Sequence, residues 1–208
     1  MVQRGGIHTN RFTCEDFALR VLIQYAALKG LPLKLTDGVR TYRNMEIYGA
    51  PEHEKYDSTM YGFADMVELS YGAPDMQRIS ANTIGVTGAD ELQPGDILAL
   101  ARDLKGRISG GVAHHIQVVV SVSPTAINIY QGNTNDTVHW PITWANKLLG
   151  RNVADPEQSA YAGLSVEIGV FFNTGRGWDY RNSMTGNVKS DYLKFFELYS
   201  WNFMEFNH

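Results

Sequence analysis

The apolar residues of this chain change their period part-way along, and the change restricts the folds open to it. Over 14–29 they keep helical spacing. Phe17, Ala18, Leu19, Val21, Leu22 and Ile23 follow Thr13-Cys14-Glu15-Asp16, a capping-box spacing, and Gly30 with Pro32 beyond it supplies a stop. A second helix is predicted over 58–71, where Met60, Phe63, Ala64, Val67 and Leu69 roughly share the helical period and Gly72-Ala73-Pro74 ends it. Further on the runs are short, aliphatic and bounded by turns. Segments 97–100, 116–122, 126–130 and 166–172 read as strands, with Ser123-Pro124-Thr125 as a tight connection between the second and third. Helices first and strands second imply an α+β fold with a mostly antiparallel sheet. A short helix over 144–149, a long loop over 173–190 and an aromatic-rich helix over 191–206 complete the expected element list of a single domain, 1–208.

Composition narrows the function classes. Apolar residues make up 44% and charged residues 19%, enough for a sizeable core and too apolar for global disorder. A net charge of -4 leaves no excess of Lys and Arg to neutralise phosphate, which argues against nucleic acid as a partner. No stretch approaches the roughly 20 apolar residues that span a bilayer. The 191–206 segment, with Lys194, Glu197 and Glu205, lacks the basic face of a membrane-surface helix and is expected to pack on the domain. Met1 to Gly6 contains no apolar segment like a signal peptide, so synthesis in the cytoplasm is expected, and action outside it would need a specialised route. The single cysteine excludes a disulfide framework.

That cysteine, Cys14, falls where the first helix begins. First-turn amides and the helix dipole favour its thiolate, so it is a candidate nucleophile; the alternative is a small buried hydrophobe. A nucleophile needs a base and a group to orient the base. Of the six histidines, His208 is terminal, His8 is near the N-terminus, His53 lies in a charged stretch, and His139 adjoins Trp140 and Pro141. His114 and His115 open the strand His-His-Ile-Gln-Val-Val-Val-Ser-Val. Neighbouring strand residues face opposite sides, so one of the pair can serve a site and joint ligation of one metal is disfavoured. If His115 faces the site, Gln117 and Val119 share its side while Ile116 and Val118 lie opposite. On the next strand Gln131 and Asn133 are two apart, and either carboxamide oxygen could fix the tautomer of the imidazole.

The order of Cys14, Leu92-Gln93-Pro94-Gly95-Asp96-Ile97-Leu98, the His115 strand and an amide-bearing strand resembles the papain-like superfamily of the NlpC and CHAP type, the bacterial cell-wall cysteine peptidases and amidases. The resemblance covers about residues 10–135 and implies a papain-like fold with N-terminal helices packed on the sheet. It also implies a catalytic set of Cys14, His115 and Gln131 or Asn133, with the Cys14 N–H and the Asn10 side-chain amide just upstream as oxyanion donors. Asp96 shapes its turn and Asp16 caps the helix. The implied substrate is an amide bond in a peptidoglycan stem peptide. A signal-less enzyme of this kind resembles a type VI secretion amidase effector, delivered to the periplasm of a target bacterium, with an immunity protein as partner. CHAP members carry Glu-x-Asn where this chain has Gln131-Gly132-Asn133. Cys14-Glu15-Asp16-Phe17-Ala18 is also similar to the start of a transglutaminase-like domain, although no strand after His115 offers an obvious Asp. No His-Glu-x-x-His or Cys-x-x-Cys is present, and neither metal nor cofactor is expected. A non-catalytic binding module on the same fold is the remaining alternative. It predicts slow alkylation of Cys14, where a nucleophile predicts fast alkylation.

Overall fold

The computed structural model describes residues 11–45, 60–101, 112–132, 148 and 164–208. Strand β1 (Arg11–Phe12) leads into helix α1 (Cys14–Lys29), whose bounds match the sequence expectation. Thr13 is extended and its hydroxyl accepts from the Asp16 N–H at 3.3 Å, satisfying an otherwise orphan first-turn donor. At the other end Gly30 takes φ 65°, open to glycine without strain, and the Leu31 N–H closes on the Ala26 carbonyl at 2.8 Å. A small hairpin, β2 (Lys34–Thr36) and β3 (Thr41–Arg43), precedes α2 (Met60–Glu68). The second helix ends at Glu68 rather than 71; Gly72 and Pro74 instead frame a 3-10 turn, Ala73–Gln77.

The remaining strands are β4 (Thr83–Gly85), β5 (Ile97–Leu100), β6 (Ile116–Val122), β7 (Ala126–Gln131), β8 (Leu164–Ser165), β9 (Glu167–Asn173), β10 (Trp178–Asn182), β11 (Val188–Lys189) and β12 (Phe196–Trp201). Eight of them form one antiparallel sheet in the order β11-β10-β9-β7-β6-β5-β12-β4, while β8 pairs with β1. The fold is therefore α+β with a large antiparallel sheet and few helices. The helices are not segregated at the N-terminal end, because β1, β2 and β3 alternate with α1 and α2, and the one-turn helix α3 (Phe203–Phe206) closes the chain.

Two expected elements are corrected. Residues 173–190 are not a loop: they hold β10 and β11, joined to β9 through a turn in which Gly175 adopts φ 76°. Their polar composition disguised a strand at the sheet's end, where Tyr180 and Asn182 are buried and Trp178, Asp179 and Arg181 are not. Residues 191–206 are not a helix either. After a 3-10 turn (Leu193–Phe195) the aromatic run becomes β12, inserted between β5 and β4. Its aromatics serve both sheet faces: Phe196 packs in one core, Tyr199 and Trp201 in the other. A strand covered on both sides shows no polar alternation, which is why its period was misleading. The expected helix over 144–149 falls largely outside the described residues.

Alternation along the central strands divides the core. Ile97, Ala99, Ile116 and Val118 face α1 and α2, meeting Phe17, Leu22, Ile23 and Val67. Leu98, Val119, Ile127 and Ile129 face the other way, meeting Phe171, Tyr180, Tyr192 and Phe196. The helices are tied together by Arg20, buried on α1, which pairs with Asp65 and, at 2.6 Å, with Glu68 on α2. Among the described residues no helix is long and apolar enough to cross a membrane.

Candidate active site

The N-terminus of α1 meets the sheet where β7 ends. Gly132, directly after β7, lies against the main chain entering the helix: a Cβ there would collide with the Thr13 carbonyl and stand 2.8 Å from the Phe12 carbonyl oxygen. Glycine is needed here for close approach of two backbones. This contact brings Cys14 to the sheet, with its sulfur against the backbone N–H of Ile116, the residue following His115.

Cys14 is buried, and its Sγ donates to Glu15 Oε2 at 3.0 Å. Burial, then the Glu15 charge and hydrogen bond, push the thiol well above its ordinary pKa, while the Ile116 N–H pulls the other way. The helix-start expectation of a thiolate is thus reversed in this arrangement, because desolvation and an adjacent carboxylate outweigh the dipole.

The two adjacent histidines divide as strand geometry requires. His114 is exposed and its N–H donates to the Leu100 carbonyl at 3.1 Å. His115 is half-buried, with Nε2 2.9 Å from Gln131 Oε1. Burial holds its imidazole below the ordinary pKa; the Gln131 bond and Glu15 oppose that shift, and His114 and Lys189 add to it. Gln117 lies on the His115 side and Ile116 and Val118 on the helix side, as the strand period predicts. Among the described residues no hydrogen bond joins the Cys14 sulfur to the His115 ring.

Gln131 is the centre of a buried polar cluster. Its Oε1 also accepts from Gln117 Nε2 at 2.7 Å, and its Nε2 donates to Glu167 Oε2 at 2.9 Å and to the Tyr180 hydroxyl at 3.3 Å. Asn182 Nδ2 donates to the same Glu167 oxygen at 2.7 Å. Of the two candidate orienters, Gln131 thus meets the imidazole, and Asn133 lies outside the described residues, as does Asn10. Glu167 and Asn182 escaped the sequence reading, which placed Tyr180 only in a 173–190 loop that could border a substrate groove. Their only local signal is polarity at inward strand positions, and the pairing of Gln131 opposite Glu167 is set by the β7–β9 register. Asp96 serves its turn: Oδ2 accepts from the Gln93 N–H at 2.8 Å and Oδ1 from the Ser200 hydroxyl at 2.7 Å.

A cavity of about 300 Å³ opens beside this cluster, lined by His115, Gln117, Gln131, Asn187, Lys189 and Tyr192 among others. Cys14 does not line it. Lys189 Nζ donates to the Tyr192 hydroxyl at 3.0 Å and stands 4.2 Å over the centre of that ring. A wider groove of about 560 Å³, bordered by Val86, Trp178, Lys194 and Tyr199, contains none of the candidate catalytic residues. Among the described residues no group of three or more His, Cys, Asp or Glu side chains is arranged to hold a metal ion. Comparison with family models, with curated proteins and with solved structures returns no match for the chain.

Proposed function

We propose that the protein is a papain-like cysteine hydrolase that cleaves amide bonds in peptidoglycan stem peptides. One observation carries the reading: the Cys14 sulfur adjoins the Ile116 N–H, and the preceding residue, His115, is hydrogen-bonded through Nε2 to Gln131. The reading takes its sulfur nucleophile from a helix start and its imidazole and orienting carboxamide from two neighbouring strands; Cys14 packs with Ile116 and Val118 on the helix side, so attack requires the sulfur and the His115 ring to approach one another.

The resting pair is a neutral thiol and a neutral imidazole, since the thiol is shifted up and the imidazole down. The first step is therefore a proton transfer rather than attack by a standing thiolate. As substrate enters, Glu15 leaves the sulfur, His115 takes the thiol proton, and the sulfur bonds to the amide carbonyl carbon. The Cys14 N–H at the helix start donates to the oxyanion. Collapse breaks the C–N bond as His115 returns the proton to the departing amine. Water, deprotonated by His115, then hydrolyses the thioester and frees the thiol. By resemblance alone, the same reading makes the protein an antibacterial effector with a cognate immunity protein, delivered to the periplasm of a target bacterium by a specialised secretion system.

The burial of Cys14 among apolar side chains favours a second reading, a non-catalytic binding module in which that residue is only core. Incubation of purified peptidoglycan with wild type and with Cys14→Ala, followed by mass spectrometry of the products, separates the two. New muropeptides with wild type alone support the hydrolase. Unchanged muropeptides with both proteins remove the cell-wall assignment.

A further inference from the structure

Beyond the residues that the hydrolase reading needs, we propose that Glu167 is a positioning residue that sets the tautomer of His115 through Gln131. The inference rests on that reading for its catalytic consequence, but its structural content stands on hydrogen-bond directions. Each link in the cluster fits one way round. The Met184 and Thr185 backbone N–H groups both donate to Asn182 Oδ1, each at 2.9 Å, so the other end of that side chain is its NH2. That NH2 donates to Glu167 Oε2 at 2.7 Å. An ionised carboxylate only accepts, so the Gln131 atom 2.9 Å from the same oxygen is its nitrogen. The Gln131 oxygen therefore faces His115 at 2.9 Å, and Gln117 Nε2, donating to it at 2.7 Å, agrees with that orientation. An oxygen acceptor in that position requires a proton on His115 Nε2. The lone pair is left on Nδ1, the nitrogen that the hydrolase reading then uses to take the thiol proton.

The order of strands makes this possible. Gln131 on β7 lies directly across from Glu167 on β9, and Asn182 on β10, next in the sheet, pairs with Gly169 on β9. Orientation thus passes from the turn after β10 across three strands to the imidazole. Were Glu167 apolar, Gln131 could rotate its amide and present nitrogen to the ring, favouring the opposite tautomer with its proton on Nδ1. The expected effect is a loss of activity through kcat of roughly tenfold or more with KM little changed.

The test compares wild type with Glu167→Leu and Glu167→Gln, the second variant retaining a polar side chain where leucine prevents folding. Nitrogen-15 NMR of the imidazole assigns the tautomer independently of any substrate, and muropeptide release measures turnover. The proposal expects wild type to carry its proton on Nε2 and Glu167→Leu to lose that preference, with Glu167→Gln intermediate. It also expects Glu167→Leu to cost nothing further in a Gln131→Ala background, because its effect passes through Gln131. An unchanged tautomer in both Glu167 variants overturns it, as does an equal loss of activity with and without Gln131. If wild type leaves peptidoglycan intact while the tautomer still responds to residue 167, the hydrolase reading fails and the positioning role stands.

Discussion

Gly132 and Thr13 are in backbone contact, and no side chain can stand between them. This one approach couples the helix that carries Cys14 to the strand that carries Gln131. It also accounts for the glycine in Gln131-Gly132-Asn133, where position 132 is buried. Gly132→Ala is expected to push the helix start away from the sheet and to cost about 1–3 kcal/mol, the usual penalty for overpacking. Denaturant unfolding measures the loss. A variant as stable as wild type would show that the contact relaxes freely.

The covered state of Cys14 has a chemical signature. With burial and Glu15 both holding the thiol protonated, iodoacetamide is expected to alkylate Cys14 more slowly than a free thiol at the same pH, so the alkylation rate of the resting protein no longer separates a nucleophile from a binding module and only turnover does. Glu15→Gln removes the neighbouring charge, and alkylation is expected to speed up several-fold in that variant. Rates equal to those of a free thiol in wild type would contradict the buried, carboxylate-bound sulfur.

Folding stability should depend on His115. Its folded pKa lies below the ordinary value of 6.5, so the unfolded chain binds the proton more readily. The stability gained by keeping the ring neutral is present above that unfolded value and is lost as pH falls below it. His115→Gln is expected to flatten this acid-side decline. Thermal melting of both proteins between pH 7 and about pH 5 checks the sign; a parallel decline would sink the assignment.

Arg20 ties α1 to α2 outside the site. Its guanidinium is buried between Asp65 and Glu68, and their charges raise its pKa against the opposing effect of burial. Arg20→Ala removes the cationic partner of the buried Glu68 carboxylate and is expected to cost about 3–5 kcal/mol, as breaking a buried ion pair does. Chemical denaturation monitored by far-UV circular dichroism reads the shift in midpoint. A change below about 1 kcal/mol, the scale of an exposed pair, would mean that the carboxylates find other partners.

The local code determined a good deal. The bounds of α1, its Thr13 and Gly30 caps, strands β5 and β6, the β6–β7 connection and the division of His114 from His115 all follow from spacing and turn chemistry over a few residues. Such features are legible because their causes are near in sequence. The tertiary structure alone decided where β12 inserts and that 178–189 extend the sheet, since strand pairing depends on distant partners. It also decided which neighbours Gln131 meets, because the β7–β9 register brings Glu167 from 36 residues away. The protonation of Cys14 belongs to the same class. Helix position favours its thiolate, but desolvation and the Glu15 carboxylate oppose it, and burial is a property of the packed molecule rather than of the residues flanking a cysteine.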